Sequence, residues 1–179
     1  MMNADQFWKM IEASRRRFDP LHADGNMERQ LEDLRALLLE LSPKQIIGFR
    51  DCLREQMDLA FRWELWGAAY IIANGCSDDG FVYFRYWLIS MGQQVFQEAL
   101  KDPESLARVA DAPGIEDVFF EEFSYVPAEA YEEAAGREIP SYPGHVRTLP
   151  QGDKWNSAGD DLQRRFPILW ARYRRNSSP

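Results

Sequence analysis

The sequence predicts an all-α, single-domain helical bundle with a long central helix hairpin and a Pro/Gly-rich C-terminal arm. Three observations lead to this fold class: a length of 179 residues, an apolar fraction of 45% with 13% aromatic residues, and apolar side chains that recur at helical spacing between capping signals. One domain accommodates a chain of this length, and this apolar content is sufficient for a hydrophobic core.

The first two helices are predicted from periodicity and from turn residues. Apolar positions recur with a helical period from Phe7 to Phe18, which predicts a helix over residues 4–18. The Pro, Asp and Gly content of residues 19–25 predicts a turn. Asn26 is the predicted N-cap of the second helix, and the apolar stripe of that helix is Leu31, Leu34, Leu38 and Leu41.

A strong helix start follows at Ser42. Serine stands at the predicted N-cap, Pro43 at the first helical position and Gln45 at the third, which is the arrangement of a capping box. The helical pattern then continues to about Ala73. These residues predict one long helix, with a bend near Gly67.

The next helix is predicted to pack against the long one. Asn74 and Gly75 end the long helix, because glycine readily adopts the left-handed conformation found after helix ends. A second helix is predicted over residues 79–91, or continuing through Gly92 to Leu100. Two consecutive helices joined by a short loop pack as an antiparallel αα-hairpin.

Shorter helices are predicted in the rest of the chain. An acidic cap and a proline at Asp102 and Pro103 predict one, and two more follow with a break at Pro127. A last helix is predicted over residues 158–173, where Pro167 weakens the middle.

The segment before that last helix has a different composition. Residues 136–159 contain four glycines and three prolines and little periodicity, so we predict an extended arm that Tyr142 and Trp155 hold against the body. We therefore divide the chain into a helical domain over residues 1–135 and a segment over residues 136–179, arm and terminal helix, that packs on the same domain.

Two opposite charges interrupt the apolar stripes of the predicted hairpin. Glu64 falls within the stripe of the long helix and Arg85 within that of the next helix, at roughly matching heights from the connecting loop. A charge is rarely left unpaired on an apolar face, because its desolvation costs several kcal/mol. We therefore predict that Glu64 and Arg85 pair between the helices.

Asp78 and Asp79 allow two interpretations. Either Ser77 or Asp78 caps the helix and the remaining carboxylate favours the positive helix N-terminus. Alternatively, both aspartates line a polar pocket with Glu64 and Arg85, where carboxylates hold a divalent ion or perform acid–base chemistry. Spacing alone does not choose between them, so Glu64, Asp78, Asp79 and Arg85 form the candidate polar site, and catalytic residues stay unassigned.

Other reactive groups are sparse. The only histidines, His22 and His145, fall in a turn and in the arm, and the sequence has no Gly-x-Ser-x-Gly elbow, Walker loop or Gly-x-Gly-x-x-Gly motif. Two cysteines, Cys52 and Cys76, are too few for a disulfide framework, and the spacings of the two cysteines and two histidines fit no structural zinc pattern. Acids beside Cys76 would raise its pKa. The sequence predicts no cofactor and no metal site.

Charge and hydropathy restrict the classes of partner. The net charge is −8, with 29 acids and 21 bases, which argues against general nucleic-acid binding. No apolar segment approaches the ~20 residues that span a bilayer, and no signal peptide is recognisable at the start. We expect a cytoplasmic protein with reduced thiols and no membrane association. The oligomeric state is not predictable from these features.

Five stretches of the sequence resemble a known family. They are residues 7–12 (FWKMIE), 65–72 (LWGAAYII), 77–81 (SDDGF), 84–89 (FRYWLI) and 102–106 (DPESL). Together they are similar to the bacterial domain-of-unknown-function family 4240, over about the first three quarters of the chain. The resemblance implies a small helical bacterial domain and supplies no activity, cofactor or catalytic residue.

Two functional hypotheses are compatible with these patterns. The preferred one is a protein-binding or regulatory module without catalysis, since no nucleophile or cofactor loop is recognisable and acids alternate with Phe119, Phe120 and Phe123. The alternative is a carboxylate-dependent enzyme, with or without a divalent metal, that works through Asp78, Asp79 and Glu64.

Overall fold

The computed structural model describes residues 2–174 and confirms the all-α, single-domain fold. Within this range no β-strand forms, and no helix is long and apolar enough to cross a membrane. The α-helices are α1 (Ala4–Ser14), α2 (Asn26–Leu39), α3 (Pro43–Leu59), α4 (Trp63–Ile72), α5 (Asp78–Ser90), α6 (Gln93–Lys101), α7 (Val126–Ala135), α8 (Asp161–Arg165) and α9 (Pro167–Tyr173). Two 3₁₀ helices span Pro103–Arg108 and Glu122–Ser124.

One hydrophobic core unites these elements. Helix α2 packs on α1 and α7, α3 packs on α7, and α5 lies against α3, α4 and α6. Helix α5 is the most deeply placed, since residues 84–90 are all buried. A helix buried on every side has apolar residues all round, and within these buried residues Arg85 is the one charged side chain.

The first helical pair differs from the prediction at both boundaries. Helix α1 ends at Ser14 instead of Phe18, and Gly25, not Asn26, is the N-cap of α2. Asn26 is buried, and its amide nitrogen donates to the carbonyl oxygens of Asp19, His22 and Gly114. Asn26 therefore holds two loops together instead of capping the helix.

The predicted long helix over residues 43–73 is wrong, because it forms as α3 and α4. The start is as predicted, with Ser42 donating its main-chain N–H to the Gln45 side chain. The break lies at residues 60–62, where Arg62 is extended (φ −135°, ψ 143°) and forms an isolated parallel bridge with Gln151. Gly67, where a bend was expected, lies inside the uninterrupted helix α4 and packs against Phe166 and Trp155.

Gly92 ends α5 and prevents one continuous helix to Leu100. Its φ of +99° is a conformation that residues with a side chain rarely adopt. A Cβ at this position would also collide with a carboxylate oxygen of Glu12, which accepts a hydrogen bond from the first main-chain N–H of α6, at Gln93. The joint between α5 and α6 thus depends on glycine.

The C-terminal part follows the predicted order with different boundaries. Pro127 lies in the first turn of α7 and does not break it. The predicted last helix forms as α8 and α9, which are separated at Phe166, directly before Pro167. Helix α9 packs on α4 and on the 3₁₀ helix Pro103–Arg108. Residues 175–179 of the predicted second segment lie outside the described residues.

Candidate functional site

Arg85 holds two main-chain carbonyl groups of different helices. It is only 8% exposed, and its Nε donates to the carbonyl oxygen of Phe81 at 3.3 Å, one turn earlier in α5. Its Nη1 donates to the carbonyl oxygen of Met57 at 2.9 Å, in the last turn of α3. Carbonyls in the last turn of a helix have no partner within the helix, so Arg85 satisfies one of them and joins α5 to α3.

Two aromatic rings contact this guanidinium. The ring centroids of Phe61 and Phe81 lie 4.5 and 5.1 Å from its central carbon. Such contacts stabilise a cation, and more so where water is excluded. The stack continues from Phe81 to Trp66 (4.9 Å between centroids) and from Trp66 to Trp63 (5.1 Å), with nearly parallel rings.

The predicted ion pair between Glu64 and Arg85 does not form. Within residues 2–174 Arg85 makes no salt bridge, and Glu64 lies beside Gly152 in a different cleft, together with Arg62 and Lys101. The cause is the break at residues 60–62, which separates α3 from α4 before Glu64. The prediction had placed Glu64 on the apolar stripe of one continuous helix, and that stripe does not exist across the break.

Burial lowers the pKa of Arg85 to about 10, and the nearby Asp58 carboxylate offsets only part of this effect. Burial acts in this direction because it penalises the charged form of the side chain. A pKa near 10 still leaves Arg85 protonated at neutral pH. The bundle therefore contains a buried cation whose hydrogen bonds go to uncharged groups.

Two adjoining clefts meet at this cation. One has a volume of about 440 Å³ and the other about 240 Å³, and they share Phe61, Val82, Arg85 and Thr148 as lining residues. We call the joined space the Arg85 cleft. Helices α3 to α5 form one wall, and arm residues 142–154 contribute the other.

The Arg85 cleft has more positive than negative side chains, although the whole chain has a net charge of −8. An excess of one sign of charge in a concave site favours ligands of the opposite sign. The charged lining residues are the cations Arg54, Arg85, Arg147 and Lys154 and the carboxylates Asp58 and Asp78.

The structure brings together only part of the candidate polar site. Asp78 and Arg85 line the same cleft, whereas Glu64 lies in another and Asp79 lines neither half of the Arg85 cleft. Ser77 caps α5, its hydroxyl accepting the main-chain N–H of Gly80 at 3.1 Å. Both aspartates are exposed in the first turn of α5, where negative charge is favourable.

The other reactive groups do not assemble a further site. Burial, with the Asp78 charge, raises the pKa of the Cys76 thiol to about 12, so this cysteine is not activated. Across residues 2–174 no three His, Cys, Asp or Glu side chains converge in a way that could hold a metal ion.

Of the three phenylalanines expected on an aromatic surface of the acidic segment, two are buried and the third, Phe119, is half-buried against the core. Phe120 and Phe123 are 1% and 0% exposed and pack against each other in the core. Sequence reasoning instead missed the arm residues Leu149 and Lys154, which line the Arg85 cleft. The arm sequence has no periodicity, so no pattern indicated that its residues line the same cleft as the helices.

A family model described as "Protein of unknown function (DUF4240)" matches residues 2–133. No curated protein and no solved structure matches the chain. The matched region includes the helical wall of the Arg85 cleft and ends before the arm that forms the opposite wall.

Proposed function

We propose that this chain, which belongs to the DUF4240 family, is a protein-binding module that engages its partner at the Arg85 cleft. The observation that carries the proposal is the position of two apolar side chains on the arm. Val146 is 47% exposed and Leu149 is 76% exposed, and they line the two halves of the same cleft. Single exposed apolar residues are ordinary, but a group around a concave site is typical of an interaction surface.

The chemistry of the cleft supports a protein partner. Protein interfaces combine aromatic and apolar contacts with arginine in the centre and polar groups at the rim. Phe61 and Trp66 line the cleft around the buried Arg85, while Lys154 and Arg147 are exposed on the arm. This arrangement suits a peptide segment that carries both an apolar side chain and a negative charge.

The arm is attached on both sides of the cleft. At one end Arg50 donates to the carbonyl oxygen of Pro140 at 2.6 Å, and at the other Gln151 bridges to Arg62. Residues 143–149 between these attachments are all exposed and form no helix. A wall of this kind can adjust to a ligand while its ends stay fixed, as binding loops on rigid scaffolds commonly do.

Site-specific photo-cross-linking tests the proposal. A photoreactive phenylalanine analogue is placed at Leu149 or, as a matched control, at Leu21, which is 72% exposed outside the cleft. After irradiation in the native cell extract, we expect a discrete cross-linked protein from position 149 that position 21 does not give. The same products from both positions, or none from position 149, would contradict a docking site at the cleft.

A further inference from the structure

We infer that Arg85 is the anchor for a single carboxylate group on the ligand of the cleft. This inference rests on the proposed function for the identity of the ligand as part of a protein. The chemistry of the anchor follows from the donors of Arg85 and from the charges around it, and a small carboxylate can test it separately.

The guanidinium has donors that the protein does not use. Arginine has five N–H donors in a rigid fork. In Arg85, Nε and Nη1 each donate to one carbonyl oxygen, and Nη2 donates to no protein atom within residues 2–174. Two parallel N–H groups at the end of a guanidinium match the two oxygens of a carboxylate. An anion can therefore bind end-on without disturbing the bonds to Met57 and Phe81.

A buried cation without a paired anion is costly to retain. Removing a charge from water costs several kcal/mol, and the strongest compensation is an opposite charge with good geometry. The two carbonyl groups and the faces of Phe61 and Phe81 supply partial compensation. Asp58 accepts a hydrogen bond from the main-chain N–H of Arg147 and makes no salt bridge to Arg85. An incoming carboxylate supplies the missing charge.

The surroundings favour a carboxylate over a phosphate. Asp58 and Asp78 line the same cleft, so a second negative charge on the ligand would be repelled. The walls also include Val82 and the arm residues Val146 and Leu149, which suit an apolar group attached to the anion. A monoanion on an apolar side chain or peptide end fits both features.

An NMR titration tests the inference with defined probes. The indole signals of Trp63 and Trp66, which line the cleft, are followed during addition of 3-phenylpropionate, its neutral amide 3-phenylpropionamide, or phenyl phosphate at constant ionic strength. We expect saturable shifts with the carboxylate, and binding weaker by about tenfold or more for the amide, as expected for loss of a charge-assisted hydrogen bond. Equal binding of the amide, or tighter binding of phenyl phosphate, would overturn the assignment.

Variants separate anchoring from folding. Arg85→Met should abolish the shifts caused by the carboxylate, while the exposed control Arg137→Gln should leave them unchanged. If Arg85→Met does not fold, Lys154→Gln should weaken carboxylate binding without loss of structure, since Lys154 is an exposed cation of the cleft. Unchanged carboxylate binding by folded Arg85→Met would refute the inference. If Arg85→Met does not fold, unchanged carboxylate binding by Lys154→Gln would refute it. Carboxylate binding without a cross-link at position 149 would refute only the protein partner.

Discussion

Arg85 of α5 donates a 2.9 Å hydrogen bond to the carbonyl oxygen of Met57 in α3, and this bond takes the place of the predicted ion pair with Glu64. The same guanidinium borders a cleft whose opposite wall is the C-terminal arm. One side chain thus has a structural role in the bundle and, within residues 2–174, a nitrogen (Nη2) that donates to no protein atom, and the two roles can be measured separately.

The structural role predicts a moderate loss of stability when Arg85 is replaced. Arg85→Met leaves the Met57 carbonyl without this partner and removes the contacts with Phe61 and Phe81, but it also removes a desolvated charge. We expect the free energy of unfolding to fall by about 1–2 kcal/mol. Urea denaturation measures it, with Arg137→Met as the exposed control, which should stay within about 0.5 kcal/mol of wild type. A more stable Arg85→Met protein would show that the desolvation cost dominates.

The absence of the ion pair predicts independence of Glu64 and Arg85. A double-mutant cycle with Glu64→Gln and Arg85→Met should give additive changes in the free energy of unfolding, within about 0.5 kcal/mol. Residues that share a buried ion pair would instead show a coupling energy well above this value. Such coupling would mean that the two side chains meet after all.

Features set by neighbouring residues were predictable, whereas those set by distant contacts were not. The capping serine of α5 and the proline start of α3 follow from a few adjacent residues. The break at residues 60–62 depends on Gln151, about 90 positions later, and Asn26 is held by Gly114. Tertiary contacts of this kind override local helix preference.

The candidate site, like the fold, was predictable only where neighbouring residues in the sequence provide the signal. Arg85 is recognisable in the sequence because a charge interrupts an apolar stripe, and this side chain is buried. Its partner is a main-chain carbonyl group, which every residue has, so no sequence pattern indicates it. Leu149 and Lys154 lie in the irregular arm. Without periodicity, the sequence does not indicate towards which part of the protein their side chains are directed.

Gly92 allows a test of the joint between α5 and α6. Gly92→Ala should lower stability by about 2 kcal/mol, because a side chain is unfavourable at this positive φ and displaces Glu12 from the start of α6. Gly136→Ala is the comparison variant, at a glycine in the ordinary left-handed conformation (φ 66°, ψ 21°) with no atom within 4 Å of the added Cβ, whereas Gly92 (φ 99°, ψ 167°) lies in a region that only glycine adopts readily. Gly136→Ala should cost only about 1 kcal/mol. Equal costs would show that the Glu12 contact contributes nothing.

Asp33 predicts a pH dependence of stability. Burial alone would raise its pKa, but hydrogen bonds from Arg17 and Arg16 outweigh burial and hold the pKa below the ordinary value. Because the folded-state pKa is depressed, this stabilisation is present above the unfolded pKa of about 3.9 and is lost as pH falls through the folded pKa.

The Asp33→Asn variant measures that contribution. At pH 7 we expect it to be less stable than wild type by about 2 kcal/mol, since its carboxylate is buried and its two arginine partners are half-exposed. In urea titrations the difference should shrink as the pH falls below about 4, because wild-type Asp33 then becomes protonated. The exposed control Asp24→Asn should show no comparable loss at pH 7. A difference that stays constant as the pH falls from 7 into the acid range in which wild-type Asp33 becomes protonated would contradict the role of the charge.

Competition between a small carboxylate and the bound partner tests the carboxylate-anchored docking site most directly. The immobilised domain is loaded with the protein that cross-links at position 149, and elution by 3-phenylpropionate is compared with elution by 3-phenylpropionamide at equal ionic strength. We expect the carboxylate to release the partner at a concentration about tenfold lower than the amide, and Arg85→Met to retain little partner. Equal release by both compounds, together with normal loading of folded Arg85→Met, would contradict a docking site anchored by Arg85.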